Sequence, residues 1–142
     1  TADAANYGNV QVVITDFTTI AAPEPLDLVW TSQNYHDMHN KFMGPADLGV
    51  VNRQVFRALK PGGVYLVLDH VANAGSGLRD TETLHRIDPA VVKAEVMAAG
   101  FVFEGRSEGD DVSAATLDSG RALTVRGRWR NGELVAVRIR FR

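Results

Sequence analysis

Lys60-Pro61-Gly62-Gly63-Val64-Tyr65-Leu66-Val67-Leu68-Asp69-His70 reads as a tight turn feeding a buried strand that ends in two polar groups at a sheet edge. Pro61 cannot continue a helix, and the two glycines supply the dihedral freedom of a sharp reversal. Before the turn, Leu48, Val51, Val55 and Leu59 recur every three or four positions, so one apolar stripe marks a helix over roughly Ala46 to Leu59. After it, Val64 to Leu68 is apolar on consecutive residues, which suits a parallel strand covered on both faces. The pattern is α/β. Such sheets place their sites beyond the carboxyl ends of the strands, where Asp69 and His70 fall.

The chain of 142 residues is about one domain, read as a single unit over 1–142. Its formal net charge of -2 gives no overall pull toward nucleic acid or an anionic membrane. Seven of the twelve arginines nevertheless lie between Arg121 and Arg142. With no cysteine, disulfides, thiolate metal sites and a Cys nucleophile are excluded. That absence suits the cytoplasm, the expected location, and equally an oxidising compartment such as the periplasm. No apolar run is long enough to span a bilayer and no signal peptide is visible, so no membrane partner is expected. The chain begins at Thr1, without an initiator Met.

Outward from the turn, Asn9 to Asp16 is a short β-branched run that reads as a strand, and Ala21 to Pro25 as a loop. Leu26 to Trp30 reads as a second strand, left by the polar segment Thr31 to Asp37, and Asn40 to Pro45 as a connection. Val12 to Thr15, Leu28 to Trp30 and Val64 to Leu68 are therefore expected in one mainly parallel sheet. Ala72 to Gly77 is a polar loop. Asp88-Pro89 starts a helix, with Asp capping free amides and Pro in the first turn; Val92 and Val96 face inward and Gly100 ends it. Phe101 to Phe103 begins another strand, and Ser107 to Gly120 reads as loop. The last segment, 121–142, reads as a hairpin containing a Val135 to Phe141 strand. A three-residue loop at Arg130-Asn131-Gly132 puts Leu123, Val125 and Trp129 on one face with Val135, Val137, Ile139 and Phe141. Arg126, Arg128, Arg138 and Arg140 then share the other.

From Asn9 to roughly Phe103 the chain resembles the second half of a class I S-adenosylmethionine-dependent methyltransferase, most closely a bacterial group of predicted methyltransferases. NVQVVITDF resembles the third strand of that fold, LDLVW the fourth, FRALKPGGVYLVLDH the fourth helix and fifth strand, and AEVMAAGFVFEG the last helix and sixth strand. YHD (Tyr35 to Asp37) and LHRID (Leu84 to Asp88), in this order, make the resemblance specific. It implies a sheet ordered 3-2-1-4-5-7-6, the cofactor S-adenosylmethionine, and methyl transfer to a small-molecule or protein nucleophile. The glycine-rich turn and the first two strands of that fold have no counterpart here. An additional amino-terminal segment or a homo-oligomer, such as a dimer paired through Asn9 to Asp16, is therefore expected to complete the sheet. A non-catalytic interaction or assembly module built on the same fold is the alternative, and whether the chain acts as an enzyme stays open.

The resemblance places Asp16 and Phe17 at the adenine and Thr31 and Asn34 on the cofactor side. Tyr35, His36 and Asp37 follow one strand and His70 another, so converging strand ends can assemble an acid–base site. An imidazole near neutrality takes a proton from an oxygen or nitrogen nucleophile, and Asp69 or Asp37 can fix its tautomer. His36 and His70 are the candidate bases; hydrogen-bonded, loop-anchoring histidines are the alternative. His85 with His36 and His70 offers three imidazoles, or two and a carboxylate. No HExxH or ligand pair four apart on a helix demands a metal, and none is expected. The arginine face of the hairpin is read as the wet side of an edge, not as a nucleic-acid surface.

Overall fold

The apolar stripe before Lys60 becomes helix α1, Leu48–Ala58, in the computed structural model, which describes residues 10–16, 18–44, 46–108 and 134–140. Asp47 caps it by accepting from the Val50 amide at 3.1 Å, and Leu48, Val51 and Val55 are buried along its inner face. Leu59 ends the helix in extended conformation and opens strand β2, Leu59–His70. The expected tight turn is thus absorbed into the strand. Strand β1, Leu26–Ser32, pairs with β2 in parallel, with Leu26 opposite Leu59 but Leu28 opposite Val64, so Lys60 to Gly63 bulge out of the ladder. Gly62 sits at φ 84°, and a Cβ on Gly63 would lie 2.9 Å from the Lys60 carbonyl oxygen. Both positions need glycine.

The sheet has the order β1-β2-β4-β3, where β3 is Val102–Glu108 and β4 is Leu134–Arg140. β4 runs antiparallel to both neighbours. Tyr65 and Val67 of β2 join the core formed with α1 and with helix α3, Pro89–Ala98, whereas Leu66 and Leu68 are buried outside that cluster. Alternation along a strand sends these pairs to opposite faces, which explains the unbroken apolar run. α3 starts as its sequence requires: the Asp88 carboxylate accepts from the Ala90 amide at 2.9 Å and Pro89 fills the first turn. Val92 and Val96 are its buried contacts, and Phe101 stacks edge-on against Phe56 with ring centroids 5.0 Å apart. Burying each such aliphatic side chain contributes about 1.5–3 kcal/mol.

Two expectations fail. Val10 to Asp16 form no strand, and Val12, Val13 and Ile14 are exposed, Ile14 to 97%. β-branched residues favour a strand only where a neighbour supplies the ladder, and among the described residues none pairs with this segment. Ser107 and Glu108 belong to β3 rather than to a loop. β4 forms as expected and pairs with β2 on one side and β3 on the other; the rest of the expected hairpin lies outside the described residues.

Candidate active site

Ser32 is opposite Leu68 in the parallel ladder, so the chain leaving β1 and the last residues of β2 emerge side by side. Gln33 turns the chain with a left-handed backbone, φ 57°, its amide donating to the Leu68 carbonyl at 2.7 Å. A short 3-10 turn, His36–His39, follows. On the other side, helix α2 (Thr81–Leu84) ends at His85, also left-handed at φ 51°. The segment after it folds back along β2: Ile87 donates to the His70 carbonyl at 2.9 Å, and Ala72 donates to Ile87 at 3.0 Å. Two non-glycine residues in this costly region border one site, a pattern found where function fixes the backbone.

Asp69 organises the site. One carboxylate oxygen accepts from the His36 backbone amide at 2.7 Å; the other lies 2.6 Å from His36 Nδ1 and accepts from the His70 amide at 2.8 Å. Both Asp69 and the His36 ring are buried. On the far side of the ring, His36 Nε2 is 3.2 Å from Asp37 Oδ1, and His85 Nδ1 is 3.5 Å from that same oxygen. The His36 ring centroid is 5.5 Å from that of His85 and 6.2 Å from that of His70. Burial opposes charging His36, but the Asp69 hydrogen bond and the charges of Asp69 and Asp37 outweigh it and raise its pKa. For His70 burial prevails: against the pull of Asp69, and helped by His36, Arg86 and His85, it lowers the pKa. Two imidazoles in contact are thus driven apart in basicity, the condition for dividing acid and base roles.

The other sequence candidates separate from this cluster. Tyr35, although adjacent to His36, points into the interior: its hydroxyl accepts from Asn52 Nδ2 at 2.8 Å and donates to Glu95 at 3.0 Å. Burial, then the Glu95 charge, pushes its pKa far above that of an ordinary phenol. His39 joins the same carboxylate at 3.2 Å. The sequence reading missed this Asn52–Tyr35–Glu95–His39 network; its signal was Asn52, a polar residue in the apolar stripe of α1. Thr31 donates to Asn34 beyond β1. Asp16 is exposed, and its Oδ1 accepts from the Thr18 amide at 2.8 Å and hydroxyl at 2.6 Å, bonds that lower its pKa. Phe17 lies outside the described residues. Asp16 thus forms a turn through one of its two carboxylate oxygens.

No protein-family model matches the sequence, and no curated relative matches it either. Solved structures do share its fold. The N-methyltransferase NodS of Bradyrhizobium japonicum WM9 superposes with a TM-score of 0.56 at 11% identity, covering 97% of this chain and 65% of that one. The [4+2]-cyclase SpnF gives 0.57 at 23% identity over 75% of this chain and 38% of the cyclase. A protein crystallised in work on conversion of a disulfide bond into a thioacetal group during echinomycin biosynthesis gives 0.55 at 17% identity, over 98% and 59%. The chain therefore shares the fold of these proteins, an N-methyltransferase and a cyclase among them. It spans about 38–65% of the length of these neighbours. With an N-methyltransferase and a cyclase on one fold, the reaction must be argued from the site.

Proposed function

We propose that this chain, as one domain, forms the acceptor side of a class I S-adenosylmethionine-dependent methyltransferase acting on a small-molecule or protein nucleophile. The observation that carries the reading is the Asp69–His36–His70 cluster at the adjoining carboxyl ends of β1 and β2. Strand order supports it: β1-β2-β4-β3, with β4 antiparallel, corresponds to the 4-5-7-6 end of the sheet order that the family resemblance implies. In this reading Asp69 orients His36, and His70 takes the proton of an oxygen or nitrogen nucleophile, help worth about 10²–10⁴-fold. Tyr35 receives no part in the chemistry. Calorimetric titration with S-adenosylmethionine tests the proposal. Saturation in the micromolar range supports it, and no saturation at millimolar concentration removes it for this chain. In an active preparation, His70→Ala is expected to lower turnover by roughly 10²-fold, and undiminished turnover refutes the base assignment.

A second reading, a non-catalytic assembly module, draws on the outer edge of β1, which no strand among the described residues covers. Trp30 on that strand is 53% exposed, and the uncharged run Val12 to Ile14 is exposed as well. Unguarded edges of this kind invite pairing with a second copy of the chain. Light scattering that shows a well-folded monomer at low micromolar concentration defeats that reading.

A further inference from the structure

Three ligand-type atoms from two separate loops meet beside His36: His36 Nε2, Asp37 Oδ1 and His85 Nδ1, all within 4.8 Å of one another. Two of the separations are 3.2 and 3.5 Å. Metal bonds of about 2.0–2.2 Å to nitrogen and oxygen place tetrahedral ligand atoms about 3.3–3.6 Å apart, so these two edges are already close to the right length. We propose that His36, Asp37 and His85 form a binding site for a divalent transition-metal ion, of which Zn2+ is the representative probe.

The chemistry around the triad agrees. A metal-binding imidazole generally gives its other nitrogen to a carboxylate, which fixes the tautomer and raises the basicity of the ligating nitrogen. Asp69 holds His36 Nδ1 in that manner at 2.6 Å, leaving Nε2 directed at Asp37 Oδ1. That oxygen faces His36, His85 and the Asn40 amide at 3.1 Å, a crowd of partners on one carboxylate atom that a single cation between the rings would organise. Two imidazoles and one carboxylate suit Zn2+ or Fe2+ and not Mg2+ or Ca2+, which prefer all-oxygen shells. Burial is graded in the sense a usable site requires: His36 is buried, Asp37 half-buried and His85 exposed. An ion held by three protein ligands keeps a position open for water or an acceptor atom. Two of these imidazoles with a carboxylate were within reach of the sequence, but no pair lies on one helix; the fold-back after the left-handed His85 assembles the group.

The test is metal binding by the untagged, EDTA-treated full chain, followed calorimetrically with Zn2+ and optically with Co2+. One Zn2+ per chain is expected. His85→Asn, chosen because Asn tolerates a left-handed backbone, and Asp37→Asn should each weaken binding by about 100-fold or more while circular dichroism stays unchanged. The Co2+ bands of a low-coordinate site should vanish with them. Asp69→Asn should weaken binding by about 10–100-fold. The proposal is overturned if no saturable binding is seen below about 100 µM Zn2+, or if both ligand variants bind like the parent. Mg2+ competing at equal concentration overturns the transition-metal assignment. These outcomes are independent of S-adenosylmethionine binding, so neither proposal falls with the other.

Discussion

Replacing Asp69 by Asn tests the centre of the site with a change of one atom. Asp69 accepts three hydrogen bonds at 2.6–2.8 Å, from the His36 amide, His36 Nδ1 and the His70 amide. Asn brings one oxygen and an NH2 group. With its oxygen toward His36 Nδ1 and the His70 amide, the NH2 confronts the His36 N–H. Reversed, the NH2 confronts the His70 N–H and forces His36 into the tautomer protonated on Nε2. Either way one backbone N–H loses its acceptor and a charged acceptor becomes neutral. A lost bond to a charged group costs about 1.5–3 kcal/mol and an orphaned buried N–H about 1–3 kcal/mol; the two overlap, giving about 2–4 kcal/mol. For a domain of this size that lowers Tm by roughly 10 °C. Urea denaturation followed by circular dichroism, with m unchanged, reads the loss directly. A change below about 0.5 kcal/mol, the scale of an ordinary surface substitution, would refute the assignment of Asp69 as the hub.

Asp88→Ala removes the cap of α3 together with an acceptor for the Gly75 amide at 2.7 Å, and should cost about 1–2 kcal/mol in the same urea assay. Unaltered stability would show that water replaces both bonds. Gly100→Ala should destabilise by about 1–3 kcal/mol, because φ is 109° and the new Cβ would meet Phe56 Cζ at 3.0 Å; a neutral result would mean that Phe56 yields. Tyr35→Phe leaves Asn52 Nδ2 without its buried acceptor and should cost about 1–2 kcal/mol in thermal unfolding. A stabilised variant would break the argument that this hydroxyl holds α1 to α3.

Local signals that describe a complete unit survived folding unchanged. The stripe Leu48–Val51–Val55–Leu59 needs only a helix to bring it together, and Asp88-Pro89 needs only its own first turn, so both were legible in the sequence. Val64 to Leu68 was legible because an unbroken apolar run requires cover on both faces. Val10 to Ile14 misled because β propensity is conditional on a neighbour, and that condition is not written in the segment itself. Likewise Lys60 to Gly63 carry the chemistry of a turn, and only the pairing of Leu26 with Leu59 turns that reversal into a bulge.

The site follows the same division. Strand ends brought His36, Asp69 and His70 within reach of a sequence argument, although 33 residues separate His36 from Asp69. The directions of side chains in the 3-10 turn were not legible. Tyr35 and His36 are neighbours in the chain, yet one hydroxyl reaches across the core to Glu95 while the other ring meets Asp69. The two contacts depend on each other: anchoring Tyr35 between α1 and α3 fixes the start of the turn, and a fixed turn holds His36 with both its amide and its ring on one carboxylate. Loosening the Tyr35 anchor should therefore relax the site as well as the core. In Tyr35→Phe, a weakening of the proposed Zn2+ binding well short of the His85→Asn effect would show that the interior network positions the cluster. Binding equal to the parent would show that Asp69 alone is sufficient.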